Sequence, residues 1–304
     1  MALAAHKTDD SEIVLSKSDV PAVFAGRPTF GVSEKYIHIH TADFMQPATD
    51  AGWVLFNAGT KKRNRRTMAN NPSALETAGH FLAFRPSDEW ISNRGLQNNL
   101  NFNGGIGRVS RAIPRLILYN SHDKSMGLKA VLGLFEFICS NAAIMCSDSW
   151  GKWSFRHINI NPMKVLEFFR QVIEVAPYII DARDAMSRIE VKREQALEFA
   201  ENVIDLRWDG DKYAVDPSAL ISPRFEEQSD LTAYNVFQTV QHHMIQGGDK
   251  FTNKETKKIR QQRKVKDFKN DFNINRGLWE SANKWLNGMG HQLPPPPKLD
   301  INVR

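Results

Sequence analysis

PRLILYNSHDKSMGLKAVLGLFEFICSNAAIMCSDSWGKWSFRH, residues 114–157, holds both the clearest core of the chain and its densest cluster of chemically able side chains. Leu116 to Tyr119 is a short apolar run of strand-favouring residues, which predicts a buried strand. Asn120, Ser121, His122 and Asp123 then make a polar turn. Beyond it Leu128, Val131, Leu132, Phe135 and Ile138 with Cys139 recur at i, i+3, i+4 and i+7, which predicts a helix over 128–139 packed on a sheet. Trp150, Trp153, Phe155 and Arg156 follow as an aromatic and basic strand.

Upstream, residues 1–32 are polar, carry Pro21 and Pro28, and are expected to be an irregular N-terminal arm. Tyr36, Ile37 and Ile39 alternate with His38 and His40 as in a strand, and Thr41 can cap a short helix reaching Ala51. Further strands are expected at 53–57, 80–85 and 115–119. The stretch 92–108 is rich in Asn and Gly and reads as a long loop. Its Gly104-Gly105-x-Gly107 lacks the strand, helix and Lys-Ser/Thr ending of a phosphate loop. Downstream, Asn161-Pro162 opens a helix as cap and first-turn proline. Leu166, Phe169, Ile173 and Ala176 form its buried face. A helical run spans about 182–206, Trp208-Asp209-Gly210 turns, and a helix over 231–245 closes on Gly247-Gly248. A last short helix lies near 278–286, and LPPPPKLDINVR should be extended and able to dock on another subunit.

These elements make an α+β protein: a β-β-β-α core with an antiparallel sheet and a mostly helical C-terminal half. The expected divisions are the arm at 1–32, an α+β core at 33–160, a helical region at 161–287 and a proline-rich tail at 288–304. At 304 residues the chain can bury a sizeable core. It has no apolar run long enough to span a membrane and no signal-peptide plan, and two cysteines suit a reducing compartment, so a cytoplasmic protein is expected.

Charge is the more informative number. The net charge is +6. Lys61, Lys62, Arg63, Arg65 and Arg66 form one acid-free cluster. The segment 254–269 forms the other, with Lys257, Lys258, Arg260, Arg263, Lys264 and Lys266 at its centre. Removing the thirteen basic and two acidic residues of these two segments turns the net charge from +6 to −5, so the whole basic excess sits in two places. Such clusters attract polyanions by releasing counterions, or else they are solvated loops. Trp153 with Arg156, and Trp150, Phe155 or Phe102, are available either as stacking faces for bases or as core.

The central stretch also resembles a known family. LYNSHD, GLFEFICSNA and the strand ending at Arg156-His157 are similar to the hallmark of YfjQ/YafZ-type proteins. That family is of unknown function and is carried by prophages, phages and conjugative plasmids. SEKYIHIHT (33–41), GWVLF (52–56), AGHFLAFRP (78–86), LISPRFEEQSDL with VQHHMIQGG (220–248) and INRGLWESANKW (274–285) extend the resemblance over roughly 33–287. The chain departs from the pattern at His242-His243, where relatives carry Glu-Asn, and in its insertion at 92–108. The resemblance implies a polar motif cluster of Asn120, Ser121, His122, Asp123, Asn141 and His157, and a setting in mobile-element biology. The β-β-β-α order is similar in outline to phage single-strand annealing proteins, an analogy of topology alone.

Catalytic patterns fare worse. Ser121-His122-Asp123 are sequence neighbours that point apart, unlike a triad assembled from distant elements. His122, Asp123, Cys139, Cys146 and His157 lack a zinc-site spacing, and Asn120 to Asp123 read equally well as a helix cap. No cofactor or metal is expected. The expectation is therefore a binding protein more than an enzyme: a homo-oligomer that holds single-stranded nucleic acid, DNA favoured, for annealing, recombination or strand protection. The alternatives are an interaction protein that meets a host defence or replication factor, and a metal-dependent hydrolase centred on His122, Asp123 and His157.

Overall fold

The computed structural model describes residues 11–60, 72–94, 101–104, 108–136, 142–143, 152–225, 228–265, 268–300 and 302. Among these, seven strands form one antiparallel sheet. Its body runs β1 (Trp53–Thr60), β2 (His80–Pro86), β4 (Arg108–Asn120) and β5 (Leu128–Glu136). β6 (Ala142–Ala143) and β7 (Lys152–Phe155) both pair with β5, and β3 (Asn101–Gly104) pairs with β4.

The segment expected as the central helix is β5. Leu116 pairs with Leu132 and Leu118 with Ala130 in the β4–β5 register. Leu128, Ala130, Leu132 and Leu134 face the main core, while Val131 faces a second cluster on the opposite side of the sheet. A strand buried on both faces loses its alternation, and the remaining apolar run then satisfies helical spacing by accident. Gly127 fits the strand assignment too: a Cβ there would lie 2.4 Å from the carbonyl oxygen of Phe155 on β7. With no helix after the turn, Asn120 to Asp123 are no helix cap. They join two long strands.

Three other expectations change. Part of 92–108 is a hairpin, Asn101–Gly104 against Arg108–Arg111. Residues 36–40 are extended but join the structure through the Tyr36–Ile158 bridge and the hydrogen bond from Ile37 N to His157 O, without forming a full strand. Thr41 begins a 3-10 turn (Thr41–Phe44) before α1 (Met45–Asp50), and its hydroxyl makes no cap because it bonds His80. The N-terminal segment is no free arm either: Val20, Ala22 and Val23 are buried.

Helices cover the main-core face of the sheet and continue into the C-terminal half. α2 (Asp88–Asn93) follows β2. α3 (Pro162–Glu174) starts on Asn161, whose side chain accepts from the Met163 and Lys164 amides, and buries Val165, Phe168, Phe169, Val172 and Ile173. α4 (Pro177–Ser187) and α5 (Arg193–Val203) replace the single run expected near 182–206. A one-turn α6 (Pro217–Leu220) precedes α7 (Ala233–Gln246), which is buried on every side from Ala233 to Ile245, as a central helix must be. α8 (Phe268–Gly288) is much longer than the expected closing helix. A second sheet, β8 (Tyr213–Val215), β9 (Lys250–Asn253) and β10 (Ile259–Gln261), has the order β10-β9-β8.

Candidate nucleic-acid interface and a buried histidine network

The three-stranded sheet carries the second basic segment. β9 and β10 pair antiparallel, Phe251 opposite Arg260, and the turn between them exposes Lys254, Lys257 and Lys258. Beside it lies an open cleft of about 790 Å³ lined by Arg207, Trp208, Tyr213, Phe251, Arg260 and Arg263, with Asp209, Gln261 and Gln262. Tyr213 and Phe251 meet edge to face at 5.2 Å, and both are partly open to solvent. The cleft's one acid, Asp209, is paired with Lys212 at 2.8 Å, so the three guanidiniums dominate its field. Arg207 is half-buried, which pulls its pKa down, and its Nη2 donates to the Arg263 carbonyl at 2.9 Å.

The C-terminus of α7 holds the extension of β10, residues 262–265, in place. Gly248 N donates to Gln262 O, Val265 N to Ile245 O, and Gln262 Nε2 to Met244 O. Gly247 is required here: its φ is +78°, and a Cβ would meet the backbone carbon of Arg263 at 2.7 Å. Arg224 ties the same corner by donating to Asp249 Oδ2 at 2.9 Å, while His243 Nδ1 meets Asp249 Oδ1 at 2.8 Å and Nε2 meets Ser222 O. His242 points elsewhere, edge-on to Phe225. Burial first, and then Arg224, lowers its pKa to about 4.

The structure thus brings Arg260 and Arg263 together with Lys257 and Lys258, and adds Arg207, Tyr213 and Phe251, which the sequence reading missed. Their signal was faint: a Trp-Asp-Gly turn and two strands of three and four residues. Lys264 is half-buried beside His242. Arg156 is exposed just after β7 and does not line the cleft. Trp153 and Phe155 are core, both edge-to-face on Phe168, and present no open ring for a base. Lys61 to Arg66, Lys266, Asn141, Trp150, Cys139 and Cys146 lie outside the described residues.

The family-motif residues form a different structure, a buried imidazole network at the β4–β5 turn. Asn120 orders it. Its Nδ2 donates to Ile39 O (3.2 Å) and Thr41 Oγ1 (2.8 Å), and its Oδ1 accepts from Ser121 N (2.8 Å) and His157 Nε2 (2.9 Å). Thr41 Oγ1 lies 2.8 Å from His80 Nε2, and His80 Nδ1 donates to Ala78 O. His122 Nε2 donates to Ala22 O at 3.1 Å and His38 Nε2 to Ala25 O at 2.8 Å, with the two rings 4.4 Å apart. Burial, with lesser effects from neighbouring histidines, lowers His80 to about 4 and His122 to about 2, so both are neutral imidazoles. Ser121 Oγ bonds the Met126 backbone, and Asp123 Oδ1 accepts from Ser125 N, closing the turn. His38 and His80, unremarked as partners of His122 in the sequence, are brought to it from 84 and 42 residues away. Among the described residues no group of three or more His, Cys, Asp or Glu is disposed to hold a metal ion.

A helix-covered antiparallel sheet with a small second sheet makes this an α+β protein. The chain belongs to the family described as Domain of unknown function (DUF932), which matches residues 31–279. It is similar to two proteins of Escherichia coli (strain K12). One is "UPF0380 protein YafZ", 24% identical over 269 residues, and the other "UPF0380 protein YfjQ", 24% identical over 268 residues; each match covers 88% of both chains. No solved structure matches. Among the described residues no helix is long and apolar enough to cross a membrane.

Proposed function

We propose that the chain binds single-stranded nucleic acid, DNA favoured, along the cleft beside β8–β10. The observation that carries this reading is the meeting of Arg207, Arg260 and Arg263 with the rings of Tyr213 and Phe251 in one open cleft. Guanidiniums pair with successive phosphates and release counterions, and partly exposed rings take the faces of unpaired bases. A duplex hides those faces, so the cleft discriminates in favour of the single strand. Lys254, Lys257 and Lys258 extend the positive track along the exposed turn. Annealing, recombination or strand protection for a mobile element is the use that such a grip supports.

Anisotropy of a labelled single strand and of its duplex, at two salt concentrations, tests the proposal. The single strand binds more tightly, and the double variant Arg260→Gln/Arg263→Gln lowers the salt slope by about 1.4, from roughly 0.7 per phosphate contact. Neutralising Lys61 to Arg66 in a second variant measures the other basic cluster. No binding at low salt, or an unchanged slope in the double variant, would sink the reading. An acidic protein partner is then the better reading, favoured by one feature: β10 is an edge strand with Ile259 exposed, open to strand addition.

A further inference from the structure

A second cleft, of about 740 Å³, lies between residues 17–30 and the loop before β2. Its volume is in the range of small-molecule sites. Lys17 and Arg27 line it, both exposed and neither with an ion-pair partner among the described residues. Phe24 forms part of the wall, and Phe30, also lining it, is fully exposed. Thr29, Thr77 and Glu76 supply hydroxyls and one carboxylate.

The walls are not loose loops. His122 fastens three of them: its Nε2 holds Ala22 O, its backbone oxygen accepts from Thr29 N at 2.8 Å, and its amide donates to Thr77 O at 3.0 Å. His38 fastens Ala25, and Lys124, next but one to His122, donates to Gly31 O beside Phe30. The buried histidine network is thus the support that fixes this cleft, which gives the family-motif residues a positioning role.

We infer that this cleft binds a nucleoside monophosphate unit, with Lys17 and Arg27 on the phosphate and the base against Phe30 and Phe24. Two exposed cations against one carboxylate leave the cleft net positive, which favours an anion. An exposed phenyl ring on the same rim calls for a flat apolar face, and a single carboxylate among hydroxyls suits the amino and hydroxyl groups of base and sugar. Inorganic phosphate has only the first of these features, and a nucleoside only the others. The unit is either a free nucleotide or the terminal nucleotide of a strand.

Calorimetric titration of the full chain with a nucleoside monophosphate, the nucleoside and inorganic phosphate tests this. The monophosphate binds at least tenfold more tightly than either fragment. Lys17→Gln/Arg27→Gln weakens it by tenfold or more, and Phe30→Ala by about fivefold; all three side chains are exposed, so the variants fold. His122→Asn, the positioning variant, weakens the monophosphate while leaving cleft binding of an internal oligonucleotide unchanged. Tighter binding of a 5′-phosphorylated oligonucleotide than of its unphosphorylated form, lost in the double variant, identifies the strand end; equal binding identifies the free nucleotide. No monophosphate binding at millimolar concentration, or phosphate binding as tightly as the nucleotide, overturns the inference. The proposal on the β8–β10 cleft is unaffected by that failure, since Arg260 and Arg263 are read separately.

Discussion

At the scale of the residue, the molecule depends on uncharged histidine. His80 and His122 each use one ring nitrogen to hold a backbone carbonyl, an arrangement that an imidazolium could also make but that burial forbids it to occupy cheaply. The consequence is an acid-sensitive fold. Both histidines titrate near the ordinary 6.5 when unfolded, but near about 4 and about 2 when folded. Between pH 6.5 and about 4 the unfolded chain therefore binds more protons, and stability falls with falling pH by up to about 1.4 kcal/mol per pH unit for each such histidine. His80 stops contributing below about 4; His122 continues toward about 2. Urea unfolding between pH 5 and 6.5 measures this slope before the carboxylates titrate. His122→Asn reduces the slope by up to one proton, and an unchanged slope would mean that His122 keeps an ordinary pKa in the fold.

At the scale of the element, what determines position is where backbones approach closely. Gly247 ends α7 at positive φ and lets the segment 262–264 lie against it, so that Arg263 reaches the cleft. Gly247→Ala adds a Cβ 2.7 Å from the backbone of that segment in a conformation L residues avoid. It should cost about 1–3 kcal/mol in urea unfolding and weaken single-strand binding. A variant with native stability and binding would show that the segment 262–264 does not need this approach. Close approach also explains which elements were legible. The strands at 53–57, 80–85 and 115–119 and the Asn161-capped helix follow from local chemistry, strand-favouring apolar runs and a cap followed by Pro162. β5 did not, because its two faces both meet apolar layers and its period vanished. The cleft was half legible: the charge of 254–269 named Arg260 and Arg263. Tyr213, Phe251 and Arg207 join them only through pairings of strands of three and four residues, for which the sequence carries no periodic signal.

At the scale of the whole molecule, the chain does not divide where its composition does. Sequence favours a break near 160, between a strand-rich half and a helical one. The main core crosses that point: Trp53, Leu82 and Leu116 from the sheet belong to one apolar cluster with Phe199, Phe237 and Leu286 from the helices. Phe272 of α8 adds a second tie by joining the cluster on the other face of the sheet, with Lys152 of β7 over its ring. Even the tail folds back, Leu293 and Leu299 packing on the core and Asp300 N bonding Gln171, so it docks on its own chain. A core shared in this way couples the stability of both halves, since opening either would expose apolar surface of the other. Unfolding should then be one event seen alike from Trp53 and Trp153 in the sheet and from Trp279 and Trp285 in α8. Chains keeping only one of these tryptophan pairs, with the other pair and Trp90, Trp150 and Trp208 replaced by Phe, report the halves separately by fluorescence in urea. Coincident midpoints within about 0.3 M are expected. Midpoints a molar apart would mean that the halves unfold independently and that the shared core contributes little between them.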